Sequence, residues 1–165
     1  MPERVITSLD PDSKVALYED GTAIPYDLFL GIPVHRVPAV VEEAGLSESD
    51  WIPVDDKNLT IRFPGVFAIG DVTSAPVAKS GVFAGSAARA VADHLITEIT
   101  GTGESEPFDG KGSCYFEFGD GLVGRMDADF FPGTQPTASF AGPSLLVAQE
   151  KEEFATIRRK RWIDG

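Results

Sequence analysis

Polar and apolar residues alternate near the start of this chain, then give way to helical spacing in its middle. Residues 4–9 and 14–18 read as short strands separated by "DPDS", and the Asp-Gly of "EDGTAIP" supplies the positive backbone angles a hairpin turn needs. A β-meander is expected. Residues 28–32 are a continuous apolar run ended by Gly31 and Pro33, the pattern of a strand covered on both faces deep in a sheet. Residues 38–44 allow one or two helical turns, with Pro38 at the start and Gly45 beyond the end. "IPVDDKNLTIRFPG" alternates like surface strand, and residues 66–69 form a second short buried strand. Residues 81–99 hold the clearest helix, with Ala84, Ala88, Val91, Leu95 and Ile99 on one face and Gly101 as the stop.

The polar, turn-rich "GTGESEPFDGKG" is the best internal boundary, dividing the chain into residues 1–102 and 103–165. "SCYFEFGDGLVGRMD" predicts a hairpin with Cys114, Phe116 and Phe118 on one face and Tyr115 and Glu117 on the other. "FFPGTQPTASFAGPS" reads as a long irregular loop. "LLVAQEKEEFATIRRKRW" reads as a helix, acidic early and basic late as the macrodipole prefers. The fold class is therefore α/β in the broad sense, a mixed α+β arrangement.

Composition narrows the function classes. The chain has 165 residues and 42% hydrophobic content, enough for a buried core, while 14 Lys plus Arg against 26 Asp plus Glu leave a net charge of -12. That field repels phosphate backbones and argues against nucleic acid. Cys114 is the single cysteine, so no internal disulfide forms, and no Cys/His spacing suggests a metal site. A reducing, cytoplasmic setting is expected. No apolar run approaches the ~20 residues of a membrane helix, and the basic "IRRKRW" end allows at most peripheral contact with anionic lipid. His94, within the long helix, and His35 read as structural or surface residues.

Two stretches invite a ligand reading. Gly119, Gly121 and Gly124 satisfy G-x-G-x-x-G, but "RMDADFFPG" follows where a long helix should, so these glycines are expected to make a hairpin turn. "FPGVFAIGDVTSAPVAKSGVFAGSAARAVADHL" is different. Gly70 lets a ligand approach the backbone, and Asp71 stands beyond a strand's carboxyl end, where hydroxyls could donate to it. Gly81, Val82, Phe83 and Ala84 open a helix whose free N–H groups favour an electron-rich acceptor. The same residues could also serve simply to turn the chain and pack a helix.

"FPGVFAIGDV" followed by "AKSGVFAGSAARAVADHL" resembles the second flavin-binding motif of two-dinucleotide-domain flavoproteins, specifically those similar to sulfide:quinone oxidoreductases and flavocytochrome sulfide dehydrogenases. The likeness extends to "DGTAIPYDLFLGIPVHRVP", "GSCYFEFGDGLVGRMDADF" and "IRRKRW". It implies that Asp71 holds the flavin ribityl region, Gly70 permits its approach, and Gly81, Val82 and Phe83 lie along the ring at the helix start. Lys79 would stabilise reduced flavin or orient a quinone, and Cys114 would be one of two redox cysteines. FAD is the implied cofactor and NAD(P) a candidate second one; the donor would be sulfide or reduced nicotinamide, the acceptor a quinone or similar small redox substrate. The family often has Thr where this chain has Ile61, and its N-terminal G-x-G-x-x-G unit has no counterpart upstream of Asp71. The chain is therefore expected to be a C-terminal portion, partnered by a missing N-terminal FAD-binding part, and alone neither to turn over nor to hold FAD tightly. The rival expectation is a non-catalytic interaction module, forming a homodimer through Tyr115 to Phe118 and the Phe130-Phe131 loop.

Overall fold

A computed structural model describes residues 4–32 and 34–164, in two units that divide between His35 and Arg36. In the first unit β1 (Ile6–Asp10), β2 (Val15–Tyr18) and β3 (Ala23–Pro25) form the expected antiparallel meander, in that order. The Asp10 carboxylate accepts from the N–H groups of Asp12 and Ser13 at the first turn. At the second, the Asp20 carboxylate accepts from Thr22 N–H while Gly21 takes a φ of 78°. Residues 28–32 are not a strand: Leu28, Leu30 and Ile32 stand 75%, 84% and 86% exposed. A run apolar on both faces needs paired neighbours to become a buried strand, and the described sheet closes on β3. Pro33, expected to end the run, lies outside the described residues.

The second unit opens with α1 (Ala39–Glu43) and contains α2 (Gly81–Thr100), which Gly101 ends at φ 66°. β4 (Lys111–Gly119), β5 (Leu122–Asp129) and β6 (Thr137–Ser144) pair antiparallel in sequence order, and α3 (Leu145–Trp162) lies across β5 and β6. Residues 137–144, expected as loop, are the third strand, because β5 offers a ladder along their length. Residues 66–69, expected as strand, make only the isolated bridge of Phe67 to Thr60. Asp120 and Gly121, at φ 51° and 75°, turn the chain between β4 and β5, so the glycine pattern there is a hairpin as expected.

Leu59, Ala75, Phe83, Ala87, Val91 and Phe108 form the core, with Thr73 also buried. Phe108 is 1% exposed, so the segment expected to separate two domains runs through the middle of this unit. The buried residues of α2 are Phe83, Ala87 and Val91; of the predicted stripe Val91 is buried and Leu95 packs on the core, but Phe83 and Ala87 take the place of Ala84 and Ala88, and Ile99 is exposed. Phe83, the bulkiest side chain near the helix start, fixes the rotation of the helix. Phe130 and Phe131, expected to be free for association, instead meet Phe83 and Phe108 edge-on at 5.3 and 5.8 Å.

The two faces of the β4 hairpin separate as predicted. Tyr115 meets Phe154 of α3 at 5.5 Å and Glu117 pairs with Lys151. Arg125 joins Glu150 of α3 to Asp127, which it holds at 3.1 Å and which also accepts from Ser113 Oγ at 2.6 Å. On the opposite face Phe118 and Phe140 approach to 6.2 Å over Gly124, where a Cβ would lie 2.7 Å from Phe140. At the inner end of that face a Cβ on Gly112 would sit 2.6 Å from the Phe83 ring. The missing side chain is what lets α2 dock on β4.

Gly112→Ala is expected to cost about 1–3 kcal/mol by overpacking, measured by urea denaturation; an unchanged midpoint would show that the Phe83 ring yields freely. The Asp127 carboxyl is held below its ordinary range, chiefly by the Ser113 hydrogen bond and then by Arg125, and Glu117 is lowered by Lys151. A lowered folded-state value adds stability above the unfolded carboxyl range, lost as pH falls through the folded one. The α3 attachment should therefore weaken below about pH 4, with a small amplitude because both groups are solvated. Asp127→Asn should flatten that acid limb in thermal melts.

Candidate functional site

Asp71 reaches its position through a tight backbone turn. Ile69 is extended, Gly70 takes φ 76°, and Gly70–Val72 form a single 3-10 turn. A left-handed angle at Gly70 would strain any other residue. Its α-carbon also faces α2, since an added Cβ would stand 3.4 Å from that of Ala84. Buried Thr73 locks the turn by donating from Oγ1 to Gly70 O at 2.9 Å. Ile52 and Thr73 form a parallel bridge, with Ile52 N–H on Val72 O at 2.8 Å and Ser74 N–H on Ile52 O at 2.9 Å. These bonds leave the Asp71 side chain at the surface.

Lys79 is not a free loop cation. Its Nζ donates to Thr73 O at 2.5 Å and Ala75 O at 3.1 Å and lies 4.7 Å from the centre of the Trp51 ring. Burial pushes its ammonium below the ordinary lysine range, and the nearby Asp71 charge partly opposes that shift. Asp71, Lys79 and the start of α2 thus share one short loop.

The helix start itself is open. Ser80 precedes α2 in extended conformation and its side chain does not cap the helix. Its Oγ is buried without a hydrogen-bond partner among the described residues. An added Cβ on Gly81 would meet nothing within 4 Å. Uncapped amides and an open glycine, with an orphaned hydroxyl buried beneath them, leave the start of α2 as an acceptor-seeking cradle. Val82 follows in the first turn and its backbone belongs to that cradle. Phe83 does not belong there as a side chain: it is 3% exposed and fills the core. Ser80 was missed in the sequence because serine before a helix ordinarily reads as a capping residue.

Between these groups lies a cavity of about 10 Å³, lined by Gly70, Asp71, Thr73, Lys79, Phe83 and Ala84. It is of the size of one water molecule, so it encloses no organic cofactor within this chain. A wider concavity, about 710 Å³, lies elsewhere, between the β4–β5 turn and the first turns of α3, and contains none of the residues expected to hold the cofactor. Cys114 is a half-buried free thiol on β4, two residues beyond Gly112 and on the same face. The Phe83–Gly112 contact therefore turns the Cys114 face toward α2, although Cys114 and Asp71 are carried by different elements. His94 meets Phe67 edge-on at 5.5 Å, a packing role, and His35 is exposed.

No family model matches the chain. Among curated proteins it is similar to the mitochondrial sulfide:quinone oxidoreductases of Schizosaccharomyces pombe, 26% identical over 76% of this chain and 27% of the relative, and of Mus musculus, 28% identical over 79% and 30%. The corresponding Dictyostelium discoideum protein is 24% identical over 96% of this chain and 35% of its own length. The chain thus resembles sulfide:quinone oxidoreductases over most of its own residues, and it spans about a third of the length of these relatives. All three are named as mitochondrial, which does not support the expected cytoplasmic placement, and their names give no support to NAD(P). No helix among the described residues is long and apolar enough to cross a membrane.

Replacing a capping serine usually costs about 1 kcal/mol. Because the Ser80 hydroxyl caps nothing, Ser80→Ala is expected to leave the thermal midpoint of the ligand-free chain unchanged or slightly raised. A clear loss of stability would show that the hydroxyl has a structural partner.

Proposed function

We propose that this chain is the C-terminal portion of an FAD-dependent oxidoreductase that passes electrons from sulfide to a quinone. The observation that carries the reading is the uncapped start of α2, with the orphaned Ser80 hydroxyl and open Gly81 beside the surface carboxylate of Asp71. Bound flavin would supply reversible acceptance of electrons. Asp71 would accept hydrogen bonds from the hydroxyls of its ribityl chain, and Gly70 keeps the backbone low enough for that approach. Amides at Gly81 and Val82, backed by the twenty-residue dipole of α2, would favour negative charge developing on the ring. Cys114 would supply one thiol of a redox pair whose second member lies outside this sequence.

The reading is supported by similarity to the named oxidoreductases and by the bare apolar run of residues 28–32, which suits coverage by an N-terminal FAD-binding part. A quinone acceptor resides in lipid, and the end of α3 offers Arg159, Lys160 and Arg161 with exposed Trp162 for peripheral membrane contact. The rival, a flavin-free association module, keeps one observation in its favour. Phe116, Phe118 and Phe140 remain 43%, 55% and 51% exposed, although Tyr115, Phe130 and Phe131 are engaged within the unit.

The isolated 165-residue chain should emerge from gel filtration without flavin absorbance near ~450 nm, whereas a longer protein carrying an N-terminal FAD-binding part should emerge yellow. In that protein Asp71→Ala should weaken flavin retention about ten-fold or more, as the loss of a charge-assisted hydrogen bond requires. Equal retention by the variant would overturn the role of Asp71. Self-association of the isolated chain, with no flavin bound even by the longer protein, would favour the rival.

A further inference from the structure

Lys79 and Asp71 carry opposite charges on one loop and line one small cavity, yet the ammonium does not close on the carboxylate. It turns instead onto two backbone carbonyls and the face of Trp51. Two carbonyl oxygens satisfy two of its three N–H donors, and the indole face is the strongest of the aromatic attractors for a cation. Without that third side the nearest compensating charge is Asp71, whose field Lys79 already feels.

Trp51 is presented by a backbone built for the purpose. Glu48 and Trp51 exchange N–H···O bonds of 2.7 and 3.2 Å across Ser49 and Asp50, both in the left-handed region at φ 51° and 73°. Two consecutive non-glycine residues there are costly. Immediately afterwards Ile52 is stitched to Val72 and Ser74, which fixes the register of Trp51 against the Asp71–Lys79 loop. The turn, the stitch and the ring converge on one ammonium group.

We propose that Trp51 is a positioning residue that holds the Lys79 ammonium on its ring and so keeps the Asp71 carboxylate unpaired for ligand hydroxyls. The inference rests on the reading of Asp71 as the flavin-holding acid, but it concerns the ligand-free chain and is tested there. With Trp51 in place, the site offers an available acceptor beside a parked cation. With it removed, Lys79 would swing to Asp71 and close an internal ion pair that a ligand must break.

A carbodiimide joins a carboxylate to an amine as an amide, with the elements of water transferred to the reagent as a urea, and only where the two groups already touch. The wild-type 165-residue chain should therefore give little Asp71–Lys79 crosslink by peptide mass spectrometry. Trp51→Leu should raise its yield about five-fold, the ratio that an ordinary cation–π contact sustains, and Trp51→Phe should restore most of the wild-type behaviour. Equal yields in all three chains would overturn the proposal. Should Trp51→Leu fail to fold, the wild type alone decides by NMR: the Lys79 ε-methylene protons must be shifted upfield by the indole ring current relative to the other lysines. Unshifted Lys79 protons would overturn the proposal whatever the fate of flavin binding.

Discussion

A glycine without a side chain, seated against a phenylalanine ring, joins the two halves of the larger unit. Phe83 leaves the first turn of α2 and lies where a Cβ on Gly112 would collide with it at 2.6 Å. Phe130 closes over the same ring from beyond β5. This contact sets the rotation of α2, and hence which residues of its first turn face outward. It also sets which face of β4 is turned to the helix. The orientation of the uncapped helix start and that of the β4 face carrying the half-buried Cys114 thus both depend on one interlock. Since interiors are packed at crystal-like density, neither element can turn without displacing the other.

Around that interlock the polar groups are arranged so that backbone geometry is settled by the protein, while selected acceptors and donors are left over. Thr73 spends its hydroxyl on Gly70 O, and Lys79 spends its ammonium on the Thr73 and Ala75 carbonyls. The Ser80 hydroxyl and the Asp71 carboxylate are not used in this way. Buried polar atoms rarely go unpaired in native structures. An orphan at the mouth of an uncapped helix is therefore an informative departure, and it coincides with the stretch that resembles a flavin motif.

The β4–β5–β6 sheet shows a second division of labour. One face is tied to α3 by charge, through Arg125, Asp127, Glu150, Lys151 and Glu117. The other presents Phe116, Phe118 and Phe140 with Cys114. Solvated ion pairs contribute little stability each, so the attachment of α3 relies as much on Tyr115 against Phe154 and on buried Val147. The apolar face that remains open lies on the side toward α2.

Local signals alone determined much of this. Alternation, the "DPDS" segment and the Asp20-Gly21 turn marked out the β1–β3 meander, helical spacing and Gly101 bounded α2, and the two faces of β4 followed from the period of two. The helix that follows the Gly70-Asp71 loop was equally legible, because a run of small residues at helical spacing is a property of the chain itself. Residues 28–32 and 66–69 were not, since a strand exists only when another strand pairs with it. Phe83 read as a site residue and proved to be core, and Phe130 and Phe131 read as free surface and proved to be packed. Ser80 and Trp51 carried no distinguishing mark in sequence. Whether a hydroxyl caps a helix or is orphaned, and whether an indole lies over an ammonium distant in the chain, depends on contacts between segments, and only the tertiary structure brings those segments together.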